Sequence, residues 1–250
     1  MGKIIAFVNQ KGGVGKTTTA VNLAACLQAA GKSVLLCDFD PQANATSGLG
    51  AEKSGSLTSY DMVLGGATAE ECIVHTPYAD LIPSTAALSG ASIELVSTEG
   101  REFKLKNALS PLKDRYDFIL IDCPPSLELL TLNAICAAEG LLIPVQCEYF
   151  ALEGLSDLML TLRAIKKGLN PKLDIFGVLL TMYDGRTNFS AQVAEEVRKY
   201  FPGKVFASVI PRNVRLAEAP SHGKPVTAYD RLSRGAQAYE AVTKEILARI

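Results

Sequence analysis

Short apolar runs alternate along this chain with stretches of helical spacing. Residues 4–8, 33–37, 118–121, 140–145 and 175–182 are almost continuously apolar. Runs of that kind, without polar alternation, predict strands buried on both faces, as in a parallel sheet. After the first run, Ala20, Leu23, Ala24 and Leu27 recur at helical spacing in a helix beginning near Thr17, and Gly31 reads as its C′ residue. Helices are also expected over residues 57–64, 88–95, 103–112, about 127–138 and about 153–168, and strands over 79–84 and 205–210. The last helix, 233–250, takes Ser233 as N-cap and lays Ala236, Tyr239, Val242, Ile246 and Ile250 along one face. Strands and helices in alternation with short connections imply right-handed crossovers, hence an α/β fold with a doubly wound, mostly parallel sheet flanked by helices. At 250 residues, 48% of them hydrophobic, and with no low-complexity linker, a single domain over residues 1–250 is expected.

Composition narrows the setting. No apolar run approaches a membrane span, Met1-Gly2-Lys3 leads directly into the first strand, and Ala6 stands where acylation of Gly2 requires Ser or Thr. A soluble, cytoplasmic protein is expected. Six cysteines, at 26, 37, 72, 123, 136 and 147, form no Cys-x-x-Cys pair and are expected to be reduced and mostly buried. Net charge is only −1, but residues 1–185 hold 14 Lys/Arg against 20 Asp/Glu and residues 186–250 hold 11 against 6, so −6 and +5 sum to −1. That asymmetry permits a basic face toward a phosphate backbone, and is equally compatible with chance clustering on a solvated surface.

The candidate chemistry centres on Gly12, Gly13, Val14, Gly15, Lys16, Thr17 and Thr18, placed between the first strand and the first helix. Strand, glycine loop and helix in that order are the context of a phosphate-binding loop. Glycines allow backbone N–H groups to turn inward, and the helix start adds its unpaired N–H groups and positive dipole end. Lys16 would reach the β- and γ-phosphates, and the Thr17 hydroxyl would join a Mg²⁺ shell that keeps several waters. A second signal is the apolar run 118–121 ending in Asp122, a buried strand presenting a carboxylate suited to hold a Mg²⁺-bound water. Pro124-Pro125-Ser126 follows as a candidate switch loop. Asp38 and Asp40 leave another buried strand, where Asp38 is expected to support the Mg²⁺ environment and the loop geometry, although Asp-Pro is also ordinary turn chemistry.

Gln10 and Lys11 stand where the plain phosphate loop has its first glycine and a neutral residue, and Lys11-Gly12-Gly13-Val14-Gly15-Lys16-Thr17 resembles the deviant Walker A motif. That motif is shared by ParA/Soj and MinD proteins and the nitrogenase iron protein. Asp38-Phe39-Asp40-Pro41-Gln42, the Thr181–Thr187 loop, Pro211-Arg212-Asn213-Val214-Arg215 and Tyr229-Asp230 with Ser233-Arg234-Gly235-Ala236 bring the resemblance to the small ParA/Soj proteins. It extends from Lys3 to the end and is weakest between about 51 and 116. The resemblance implies an ATPase that dimerises around two ATP molecules with Mg²⁺. In that reading Lys11 crosses to the partner protomer's phosphates and Asp40 positions the attacking water, so Lys11, Lys16 and Asp40 form the catalytic set. Met182, Pro211 and Asn213 would lie near the adenine. Arg186 and Arg215 would contact DNA without reading its sequence, with Lys224, Lys199 and Lys244 as weaker candidates.

Further expectations follow from the same resemblance. A ParB/Spo0J-type centromere-binding protein would stimulate slow hydrolysis, and the dimer would be nucleoid-associated, driving chromosome or plasmid segregation. No basic amphipathic tail follows residues 233–250, so no membrane role is expected. A related ATPase positioning a protein assembly, with DNA only as a track, is the alternative. An iron-protein role is disfavoured because no second cysteine accompanies Cys123 in a comparable loop.

Overall fold

The computed structural model describes residues 2–148 and 151–250, the side chains of 151–153 excepted. Seven strands, β1 (Lys3–Phe7), β2 (Val34–Asp38), β3 (Val74–His75), β4 (Asp80–Ile82), β5 (Phe118–Asp122), β6 (Gly140–Gln146) and β7 (Asp174–Thr181), form one sheet in the order β3-β4-β2-β5-β1-β6-β7. Every pairing is parallel except the short β3–β4 edge. The five apolar runs forecast β1, β2, β5, β6 and β7, and β4 lies within the strand expected over 79–84. Val74–His75 is too short and polar to carry a periodic signal.

Eleven α-helices are distributed over the two faces among the described residues: α1 (Lys16–Ala29), α2 (Asn44–Gly48), α3 (Ser59–Leu64), α4 (Leu88–Glu94), α5 (Lys104–Leu109), α6 (Leu129–Ala137), α7 (Ala151–Gly168), α8 (Asn188–Tyr200), α9 (Val214–Glu218), α10 (Val226–Tyr229) and α11 (Arg234–Ala248). Ile4, Ala6, Leu35, Ile119 and Ile121 face the core built with α3–α8, whereas Ile5, Phe7, Leu36 and Leu120 face the core of α1, α2, α10 and α11. The central strands β1, β2 and β5 therefore bury both sets of side chains, which is why their sequences lack polar alternation. All six cysteines are buried and free.

Three differences from the sequence reading have local causes. Residues 44–50, outside every helix expected from the sequence, contain α2, whose Thr46 turns inward to a buried carboxylate. Residues 205–210 form no strand: they follow β7 through the isolated Val178–Val205 bridge and the hydrogen bonds of Phe206 N–H to Val178 O at 2.9 Å and Ile210 N–H to Leu180 O at 2.8 Å, and the Tyr183–Pro211 bridge lies just beyond. Their backbone is diverted by Glu245, whose carboxylate accepts from Ala207 N–H at 2.8 Å and Ser208 N–H at 2.7 Å. Ile250 lies beyond the end of α11 and is 63% exposed, so the buried stripe ends at Ile246. Ser233 does cap the helix, accepting from Ala236 N–H at 3.2 Å.

Candidate functional site

The carboxyl ends of β1, β2, β5 and β7 converge on a cleft of about 320 Å³ lined by Gly12, Gly13, Gly15, Lys16, Thr17, Thr18, Asp40, Gln42, Asn44, Pro125 and Met182. Ligands of open α/β sheets bind at this edge. Gly13 and Gly15 adopt left-handed backbone, φ +74° and +89°, which a Cβ would oppose. The loop is braced from behind. Asn9 Nδ2 donates to Pro144 O at 2.7 Å while Asn9 Oδ1 accepts from Lys11 N–H at 3.0 Å. Thr181 Oγ1 donates to Val14 O at 2.8 Å.

Two lysines behave differently. Lys16 is 6% exposed, and its Nζ donates to Lys11 O at 3.3 Å. Burial lowers its pKa, with Asp122, Cys123 and Asp40 opposing that fall. Lys11 is half-exposed and paired with Glu148, Nζ to Oε2 at 3.0 Å.

Three aspartates sit beside the loop. Asp38 and Asp122 are direct partners in the β2–β5 register, and both are fully buried. Asp38 Oδ2 accepts from Thr46 N–H and Thr46 Oγ1, both at 2.7 Å, and Oδ1 accepts from Asp40 N–H at 3.3 Å. Both oxygens of Asp38 thus accept hydrogen bonds from the segment that follows β2. Asp40, 5% exposed, accepts from Gln42 N–H at 2.9 Å, and its carbonyl accepts from Ser84 Oγ at 2.8 Å. Asp122 has no hydrogen-bond partner at either carboxylate oxygen; Thr17 comes close enough to draw its pKa down without reaching that geometry. Burial first, then the charges of Asp38 and Asp40, push the Asp122 pKa well up. An unpartnered buried carboxylate is costly unless a cation compensates it. Asp122 with the Thr17 hydroxyl is a hard-oxygen set, and it fits Mg²⁺.

Met182 also lines the cleft and is one of two described non-glycine residues at positive φ, +50°, the other being Ala43 at +54° before α2. Strained backbone at both flanks is the kind that a functional site retains. Pro211 and Asn213 do not line the cleft. The Tyr183–Pro211 bridge sets their loop beside that of Met182, and Asn213 Oδ1 accepts from Arg215 N–H at 3.0 Å as the cap of α9. Thr46, Ser84 and Glu148 escaped sequence reading, since composition does not say which hydroxyl or carboxylate turns inward.

The basic candidates are mostly paired by their own chain. Arg186, exposed after β7, binds Asp184 through Nε at 2.9 Å and Nη2 at 2.8 Å. Arg215 lies 2.8 Å from Glu218 and 3.3 Å from Asp230. Lys199 pairs with Glu195 and Glu196, whereas Lys224 and Lys244 are exposed.

Fold, glycine loop and buried aspartate together define a P-loop ATPase of the deviant Walker A type. The family model for an AAA domain matches residues 2–175. The Soj sporulation initiation inhibitor of Bacillus subtilis is 59% identical over 99% of this chain and 99% of its own length. The chromosome-partitioning ATPase Soj of Treponema pallidum is 53% identical over 100% and 98%. Among solved structures, cobyrinic acid a,c-diamide synthase of Mycobacterium smegmatis, with bound ATP analogue and magnesium, superposes with a TM-score of 0.89 at 35% identity, over 99% of this chain and 94% of that one. The chain belongs to the ParA/Soj family of chromosome-partitioning ATPases.

Proposed function

We propose that this chain is an ATP-driven switch that dimerises around two nucleotides, binds double-stranded DNA without sequence preference, and releases it after hydrolysis. The observation that carries the nucleotide half is the unpartnered Asp122 carboxylate beside the glycine loop and Thr17. Thr17 and Asp122 would hold Mg²⁺, which when bound supplies charge compensation on the phosphates; Asp38 keeps the loop beside them in shape. Lys16, already desolvated, is positioned for the β- and γ-phosphates, and Lys11 is carried to the partner protomer's nucleotide. Asp40 orients the attacking water. Met182, with Pro211 and Asn213 in the loop beside it, would lie near the adenine.

DNA binding is read from the excess positive charge of residues 186–250, with Arg186, Arg215 and Lys224 on the contacting face. ATP favours the dimer, and a dimer presents two such faces at once. A ParB/Spo0J-type protein is the stimulator in this reading, the place of action is the nucleoid, the purpose is segregation, and the whole chain acts as one domain.

DNA retention against salt, with ATP, ADP or no nucleotide, tests the proposal. Binding that requires ATP, persists in Asp40→Ala and disappears in Lys16→Ala and Arg215→Glu is the expected pattern. If all four proteins hydrolyse or bind nucleotide as expected but ignore DNA at low salt, positioning of a protein cargo becomes the better account.

A further inference from the structure

Residues lining the nucleotide cleft and the segment bearing Arg215 and Lys224 meet at a joint that has no slack. Gly50, just beyond α2, and Gly223, just before Lys224, touch backbone to backbone. Both are left-handed, φ +73° and +62°. A Cβ on Gly50 would lie 2.7 Å from Gly223 O, and one on Gly223 would lie 2.8 Å from Gly50 Cα. On its other side α2 presses on the loop's own helix, where a Cβ on Gly48 would come within 3.0 Å of Val21 Cγ2. One buried amide completes the joint: Asn22 of α1, 4% exposed, accepts at Oδ1 from Val226 N–H at 2.7 Å and donates through Nδ2 to Thr18 O at 2.7 Å.

We propose that Asn22 and the Gly50–Gly223 contact transmit the state of the nucleotide site to residues 214–226, with Asn22 as a positioning residue for Arg215 and Lys224. Asn44 lines the cleft and opens α2, and Thr46 in the same helix holds Asp38. A change at Asp38, Asp40 or Gln42 therefore displaces α2 as a body. Packed interiors transmit such displacement because they do not compress. Gly223 must follow Gly50, and Val226 is tied to the phosphate-loop helix by the Asn22 amide. The inference rests on the proposed reading for what the segment binds, but the mechanical coupling does not depend on DNA.

Hydrogen–deuterium exchange of the full chain, with Mg²⁺ and a non-hydrolysable ATP analogue, with ADP, and without nucleotide, tests the coupling. In the wild type, nucleotide is expected to change exchange in peptides covering both 40–50 and 214–229. In Asn22→Ala and Gly223→Ala the change at 40–50 remains, the change at 214–229 is lost, and the ATP-dependent gain in DNA affinity falls about fivefold or more. Asn22→Asp keeps the acceptor for Val226 N–H but turns a carboxylate oxygen toward Thr18 O. It is expected to restore the response at 214–229 only where the acid is protonated and donates to Thr18 O, a pH dependence that a merely structural side chain would not give. If Gly223→Ala fails to fold, Asn22→Ala carries the test. A wild-type response confined to 40–50, or an unaltered response in Asn22→Ala, overturns the inference. A wild type that shows the coupled response yet is not retained on DNA leaves the coupling standing and sinks only the DNA reading.

Discussion

Lys11 Nζ lies 3.0 Å from Glu148 Oε2 of its own chain, so the loop's second lysine is paired at home rather than offered outward. The pair is 39% and 45% exposed, and ion pairs so placed contribute at most about 1 kcal/mol. The contact is therefore a weak hold, which a partner protomer's triphosphate would outcompete in the proposed dimer. Glu148→Gln is expected to tighten the nucleotide-dependent dimer by no more than about fivefold for each of the two pairs released, about 25-fold in all, and Lys11→Ala to abolish it. Sedimentation equilibrium with Mg²⁺ and an ATP analogue reads both. An unchanged dimer constant in Glu148→Gln removes the restraining role of Glu148.

The Asp38–Asp122 pair makes the nucleotide-free protein sensitive to pH. Burial, the leading cause in both, lifts Asp38 from an ordinary 3.8 to about 6 and Asp122 well up. The folded state then holds these protons more tightly than the unfolded state. The resulting stability is fully present below about pH 3.8 and is lost as pH rises through about 6. Asp122→Asn carries no charge at any pH, so its apo Tm is expected to gain on the wild type as pH rises toward about 7.5, by roughly 2–4 °C for each kcal/mol relieved. The gain shrinks toward about pH 5, and added Mg²⁺ with ATP no longer stabilises the variant. Scanning calorimetry across that range, with and without ligand, decides; an apo Tm that does not gain on the wild type as pH rises contradicts the argument.

Sequence made legible what depends on runs of residues and hid what depends on single side chains. The parallel strands and α1, α6 and α7 bury whole stripes, so periodicity marks them. Glycine loop, Asp40 and Asp122 were visible because strand ends in this fold point at the ligand edge. Glu245 was not: a helix-face carboxylate gives no sign that it will take two backbone N–H groups and break a strand. The charge pairs were hidden for the same reason. Arg186 looks free in sequence, and only the turn after β7 shows Asp184 folded back onto it.

Thr181 offers a test of loop bracing that leaves the cleft lining intact. Its hydroxyl, 2% exposed as a residue, donates to Val14 O at 2.8 Å from the far side of the phosphate loop. Thr181→Val keeps the shape and removes the donor, leaving a buried carbonyl unsatisfied at a cost of about 1–3 kcal/mol. ATP affinity by calorimetry is expected to fall about 5- to 100-fold if that cost is borne by the loop. Thr181→Ser, which keeps the hydroxyl, should restore most of it. Equal affinity in Val and wild type means that the loop holds its shape without this bond.

The arginine pairs set a quantitative expectation for DNA. Asp184 binds Arg186 through two hydrogen bonds, and Arg186 in turn lowers the Asp184 pKa to about 2. A phosphate must therefore compete with a carboxylate that stays ionised throughout the working range. Arg186 is solvent-exposed and Asp184 only partly covered, so the competition is mainly one of charge neutralisation rather than desolvation. Asp184→Asn frees the guanidinium and removes a negative charge from the face proposed to contact DNA. Its DNA affinity is expected to rise, and the slope of log K against log salt to steepen by about 0.9 for each phosphate newly engaged per dimer face. Arg186→Gln alone should flatten the slope by a similar amount, and adding Asp184→Asn to it should restore little. If Asp184→Asn shifts neither affinity nor slope while Arg215→Glu abolishes retention, DNA runs past α9 without reaching the loop after β7.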